Sequence, residues 1–202
     1  MIGGDRPIPI RLGKEPLLEA IWELRFLPRT PAAADLLPGI LFERLRKYRD
    51  LKRLPAADIP PAVAESIPHL RYAPKVRLEG DSYTVLVGHR ALSCSCQRPY
   101  SGWARFSAEI RQLASVLRDS DLVQRPERFS LKYLDLIDLG DPPDLGWLEL
   151  DLRLGGLEVR TRPVQLRGEI KDQDFPHGEL THILSFRSSH PQKSPLLGSK
   201  AS

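Results

Sequence analysis

The chain has 202 residues, 30 basic against 26 acidic, a net charge of +4 and a pI near 9.2. Hydrophobic residues make up 41% and charged residues 28%, as in a globular protein long enough to enclose a core without disulfide or metal staples. No apolar run approaches the ~20 residues that span a bilayer, and the opening Met-Ile-Gly-Gly-Asp-Arg-Pro lacks a secretory pattern, so a cytoplasmic protein with no membrane segment is expected.

Residues 1–15 carry Gly, Pro and charge and read as an irregular N-terminal lead-in. Leu18, Ala20, Trp22, Leu24 and Phe26 then alternate with Glu19, Ile21, Glu23 and Arg25, which predicts a half-buried strand. Pro28 and Pro31 close it. A helix is expected from Ala33 to Tyr48, with Pro38 near its first turn and Leu37, Ile40, Leu41, Leu45 and Tyr48 on its apolar side. Its far end carries Arg44, Arg46, Lys47, Arg49, Lys52 and Arg53 against Glu43 and Asp50. Cations suit a helix C-terminus, and the same six residues are the candidate nucleic-acid-binding set.

Five prolines between 54 and 74 predict a long loop. Strands are expected over Lys75–Glu79 and Tyr83–Gln97, joined by a Gly80-Asp81-Ser82 turn. Leu92, Cys94 and Cys96 share one face, with Ser93, Ser95 and Gln97 on the other. Pro99 ends the strand, and Ser101 is a candidate N-cap. Trp103, Phe106, Ile110, Leu113 and Leu117 draw one helical stripe, leaving Arg105, Glu109, Arg111 and Gln112 on other faces.

Arg118–Glu127 reads as a polar connection and Arg128–Ile137 as the next strand. There Asp135 points the same way as Leu131 and Tyr133, towards the packed side, where a carboxylate needs a partner. After a loop over 138–146, Leu148–Leu154 alternates, Gly155-Gly156 makes a hairpin turn, and Leu157–Ile170 returns with an interruption at Pro163. Glu179–Phe186 is the last expected strand, and 187–202 reads as a disordered tail. Together these elements predict one α+β domain over 16–186: a mainly antiparallel sheet of six or seven strands with two helices packed on one face.

Chemistry is sparse. Asp144, Glu169 and Lys171 fit the skeleton of a metal-dependent nuclease, which needs two carboxylates on a divalent ion and a lysine near the attacking water. Asp144 falls in an expected loop, however, and surface charge of this kind is common. Cys94 and Cys96 lie two apart on one strand, at the upper limit for a disulfide, and are read as reduced. With His89 they fall short of the four paired ligands of a structural zinc site, and His177 and His182 are five apart outside any expected helix. No phosphate loop, dinucleotide fingerprint or nucleophile elbow is present. No catalytic residue, metal or cofactor is expected.

Three ordered blocks carry a resemblance. Pro16-Leu17-Leu18-Glu19-Ala20-Ile21-Trp22-Glu23-Leu24-Arg25-Phe26, Arg98-Pro99-Tyr100-Ser101-Gly102-Trp103-Ala104-Arg105-Phe106 and Phe129-Ser130-Leu131-Lys132-Tyr133-Leu134-Asp135 resemble the signature of a sporadically distributed bacterial family of uncharacterised proteins. The resemblance implies an α+β domain of accessory character and no established activity. It marks Glu19, Glu23, Arg25, Tyr100, Trp103, Phe106, Tyr133 and Asp135 as structural motif residues. Lys132 and Asp135 stand where the family usually has Arg and Asn, and members usually continue with a further strand and helix. The resemblance therefore implies a sheet left open near its end, a natural place for pairing. The leading expectation is a non-enzymatic module acting through a protein partner or with itself. A nucleic-acid-binding factor using residues 44–53 comes second, and the metal-dependent nuclease third.

Overall fold

The computed structural model describes residues 15–137, 153–154, 157–158, 165–172 and 179–187. The chain divides into two compact units between Leu136 and Ile137, inside the span that the sequence predicts as one domain.

In the first unit, alternation makes β1 (Leu17–Pro28) half-buried: Ala20, Trp22 and Phe26 are buried and Leu24 packs partly against them. A bulge against the neighbouring strand falls between Leu17 and Glu19. The extra residue turns Leu17, rather than the expected Leu18, into the core. The strands β2 (Tyr48–Arg53), β3 (Pro74–Gly80), β4 (Tyr83–Gly88), β5 (Ala91–Gln97) and β6 (Val123–Asp135) complete a six-stranded antiparallel sheet in the order β2-β3-β4-β5-β1-β6. The register sets Leu131, Trp22, Cys94, Val85, Leu78 and Leu51 side by side across all six strands. The four central residues of this row are buried and the two at its ends are exposed.

The helices α1 (Ala33–Arg44) and α3 (Trp103–Asp119) cover that face. Leu37 and Leu41 from α1 and Phe106, Leu113, Val116 and Leu117 from α3 join Trp22, Leu78, Val85, Leu92 and Cys94 in one core cluster. Trp103 is the exception in the expected stripe, 54% exposed at the first turn of α3. The residue capping that helix is Gly102, at φ +86° and ψ +154°, not Ser101.

Four element boundaries differ from expectation. The first helix stops at Arg44, the Leu45 N–H closing it onto Leu41 O, and Tyr48 opens a strand. Leu41, Leu45 and Tyr48 keep helical spacing, so a turn followed by a strand buries the same residues that a longer helix would. The proline-rich segment forms a 3₁₀ turn at Pro55–Asp58 and a short α2 (Pro61–Ser66), using proline where a first helical turn tolerates it. The expected strand 83–97 folds at His89 and Arg90 into the β4–β5 hairpin. Finally, β6 begins at Val123, so the second half of the expected polar connection is strand.

In the second unit, β7 (Arg153–Leu154) pairs with β8 (Leu157–Glu158), and β9 (Gln165–Asp172) pairs antiparallel with β10 (Leu180–Arg187). The hairpin turn at 155–156, the expected strand at 148–152, the lead-in before Glu15 and the tail after Arg187 lie outside the described residues. Among the described residues, no helix is long and apolar enough to cross a membrane.

Candidate functional site

The two margins of the six-stranded sheet are built differently. The outer margin at β2 is short and charged, and its cations are paired: Lys52 with Asp50 (3.0 Å) and Glu79 (3.2 Å), Arg53 with Asp58 (3.0 Å), Arg49 with Asp81 (3.5 Å). Charge of this kind blunts an edge. At the opposite margin β6 runs for 13 residues. One side of it pairs with β1, and among the described residues no strand pairs with the other.

Register fixes which way each β6 side chain points. Phe129, Leu131 and Tyr133 lie opposite Leu24, Trp22 and Ala20, on the helix-bearing face. They are 66%, 41% and 45% exposed. Arg128, Ser130 and Lys132 lie opposite Arg25, Glu23 and Ile21, on the other face. Asp135, expected to be packed, is exposed opposite Leu17. The core side of β6 is thus apolar but uncovered, so its carboxylate needs no partner.

The motif around Pro99 meets β6 at its far end. Tyr83 stacks on Phe106 (6.2 Å, 17°), while Tyr100 and Trp103 approach Phe106 edge-on (6.2 and 6.5 Å, both 74°), arrangements the ring quadrupole favours. The Tyr83 and Ser101 hydroxyls hydrogen-bond at 2.8 Å, and the Cys96 thiol lies 3.5 Å from Ser101 Oγ. Burial, reinforced by Tyr133, pushes the Tyr100 hydroxyl up to about 12. Tyr133 is close enough to be felt, yet the buried Tyr100 Oη has no aligned hydrogen-bond partner among the described residues. Tyr100 thereby links the aromatic group at the start of α3 to the exposed face of β6. Of the other motif residues, Glu19 and Glu23 sit on the opposite face of β1, and Arg25 there pairs with Glu23 (2.7 Å) and covers the Tyr72 ring (4.1 Å).

The six basic residues of the expected helix end do not form one helical patch. Arg44 ends α1, Arg46 and Lys47 follow in the turn, and Arg49, Lys52 and Arg53 lie on β2. Arg46 pairs with Glu43 (3.1 Å). Lys47 donates to Glu109 and Gln112. Five of the six therefore hold carboxylate partners.

Glu109, expected away from the apolar stripe, is buried. Its position, three residues after Phe106 and four before Leu113, fits the apolar stripe, which is the signal that locates it. It accepts hydrogen bonds from the Tyr48 hydroxyl (2.6 Å) and Lys47 Nζ. Burial, then Cys94 and Glu109 beside it, pushes the Tyr48 hydroxyl far up. Burial and Glu109 do the same to the Cys94 thiol, which leaves it a poor nucleophile near neutral pH.

A second polar group surrounds the β4–β5 turn. A bulge between Pro74 and Val76 turns Lys75 inward. Lys75 Nζ has no hydrogen-bond or ion-pair partner among the described residues. Beside it His89 is buried, its Nδ1 unpartnered, and its pKa is lowered by burial first and by Lys75 next. Arg90 bridges Glu65 (2.6 Å) and Glu127 (2.7 Å).

Of the three candidate nuclease residues, two are described. Glu169 and Lys171 share β9 but pair with Arg167 (2.8 Å) and Glu179 (2.9 Å), and Asp144 lies outside the description. His182 lies exposed on β10, and His177 is outside the description. Cys94 and Cys96 are free thiols, and among the described residues no group of three or more His, Cys, Asp or Glu is placed to hold a metal. Comparison with protein-family models, curated proteins and solved structures finds no match.

Proposed function

We propose that the protein is a non-enzymatic interaction module, and that an extended segment of a protein partner adds to the outer margin of β6. The supporting observation is the contrast between the margins: ion-paired charge on β2 against a long strand with Phe129, Leu131 and Tyr133 exposed on β6. Strand addition satisfies the unpaired backbone groups of such an edge, and alternate side chains supply specificity. The resemblance of the three sequence blocks supports a bacterial accessory role. Two free, buried cysteines suit a reducing compartment such as the cytoplasm.

The test is capture of partners by the tagged chain from its host, with and without nuclease, beside the surface variant Leu131→Lys. A protein partner that survives nuclease and is lost with Leu131→Lys is the expected result. Partners lost on nuclease treatment and retained by Leu131→Lys would instead favour nucleic-acid binding through Arg44, Arg46, Lys47, Arg49, Lys52 and Arg53.

A further inference from the structure

We infer that the segment received by β6 is a strand in which apolar residues alternate with aspartate or glutamate, an inference that rests on the reading of β6 as a partner-binding margin. Residues directly opposite in adjacent strands share a face. A strand added to β6 therefore sets one set of side chains over Phe129, Leu131 and Tyr133, and the alternate set over Arg128, Ser130 and Lys132. The first set meets an apolar surface. The second meets two cations that hold no ion pair among the described residues.

At the opposite margin, on β2, Arg49, Lys52 and Arg53 are each ion-paired. Arg128 stands directly opposite Arg25, whose guanidinium is turned to Glu23 and Tyr72. Like charges opposite each other destabilise a pair of strands, and Arg128 has no opposite charge directly across from it on β1. The nearby Glu127 is held by Arg90. Carboxylates at two positions of the incoming strand's matching face supply an opposite charge to each, one at Arg128 and one at Lys132.

A second copy of the chain fits less well. The antiparallel register that puts Phe129 opposite Leu131 of the other copy also puts Arg128 opposite Lys132. The register centred on Leu131 puts Glu127 opposite Asp135. Each alignment of the apolar triads thus brings like charges together.

The experiment measures fluorescence anisotropy of labelled peptides with the full chain. One capped peptide alternates valine and glutamate, one alternates valine and lysine, and a single-stranded oligonucleotide serves as the third probe. The acidic peptide is expected to bind about tenfold more tightly than the basic one and to weaken as salt rises. Arg128→Glu combined with Lys132→Glu should reverse that preference, and Leu131→Lys should weaken both peptides. Equal affinity for the two peptides, lost in Leu131→Lys, would refute the acidic partner and leave the binding margin standing. Binding of neither peptide would overturn both, and β6 amides already protected from exchange in the free chain would then show the margin occupied. Oligonucleotide binding that disappears with the two charge reversals, without peptide binding, would replace the protein partner by a nucleic acid.

Discussion

The Tyr48 hydroxyl donates a 2.6 Å hydrogen bond to Glu109 Oε1, tying the first residue of β2 to the middle of α3 beneath the core. A hydrogen bond to a charged group contributes about 1.5–3 kcal/mol. Tyr48→Phe keeps the ring and removes this donor, so urea unfolding should show a loss of about that size. Lys47 donates to the same carboxylate but is 40% exposed. Solvent screens it, and Lys47→Ala should cost less, under about 1 kcal/mol.

The same contact predicts loss of stability in alkali. Folding raises the Tyr48 hydroxyl above its ordinary 10.0 and the Cys94 thiol above its ordinary 9.0. Above those values the unfolded chain releases protons that the folded chain keeps. Their contributions are complete below pH 9 and decline as pH rises, first through Cys94 and then through Tyr48, by up to about 1.4 kcal/mol per pH unit for each group. Denaturation midpoints between pH 8 and 11 should fall accordingly, and Tyr48→Phe should flatten the part beginning near pH 10.

Cys94 should also resist alkylation. Its thiol is buried and held protonated, so iodoacetamide should modify it at neutral pH only after denaturation. Prompt labelling of Cys94 in the native protein, read by mass spectrometry, would contradict this.

His89 gives the opposite pH dependence. Its folded pKa is lowered from 6.5, by burial and then by Lys75, with Glu65 and Asp35 opposing and Arg90 adding to the lowering. Below pH 6.5 the unfolded chain takes up a proton that folded His89 resists, so this contribution is lost on acidification. Lys75→Met removes the positive charge beside His89. The variant should therefore be less sensitive to acid, its denaturation midpoint falling less than that of the parent chain below pH 6.5.

Two glycines should resist substitution for different reasons. At Gly102, φ +86° and ψ +154° lie in a region essentially confined to glycine, although a Cβ there would meet open space. Gly102→Ala should cost about 1–3 kcal/mol through backbone strain. At Gly88 a Cβ would lie 2.7 Å from Ala73 O. Gly88→Ala should cost a similar ~1–3 kcal/mol by forcing two backbones apart. Thermal melts of the two variants check both.

Alternation made β1 and β5 legible because each carries one apolar face to a shared core. Tyr48 is equally legible as a buried residue, but its spacing from Leu41 and Leu45 suits two backbones, and the pairing of β2 with β3 is what makes it a strand. Leu17 and Lys75 were beyond reach for a shared reason: a bulge reverses facing without leaving a mark in hydrophobic pattern. The uncovered face of β6 was obscured by the assumption that apolar residues at alternate positions are packed. Pattern gives the direction of Leu131 and Tyr133, whereas the reach of α3 decides what lies over them.

The unequal margins also limit assembly size. For molecules to string together head to tail, the β6 of one would have to join the β2 of the next. Carboxylates and cations already engaged with one another line that receiving strand, so the chain of additions cannot propagate. On the proposed reading, addition to this sheet therefore stops after one strand at β6.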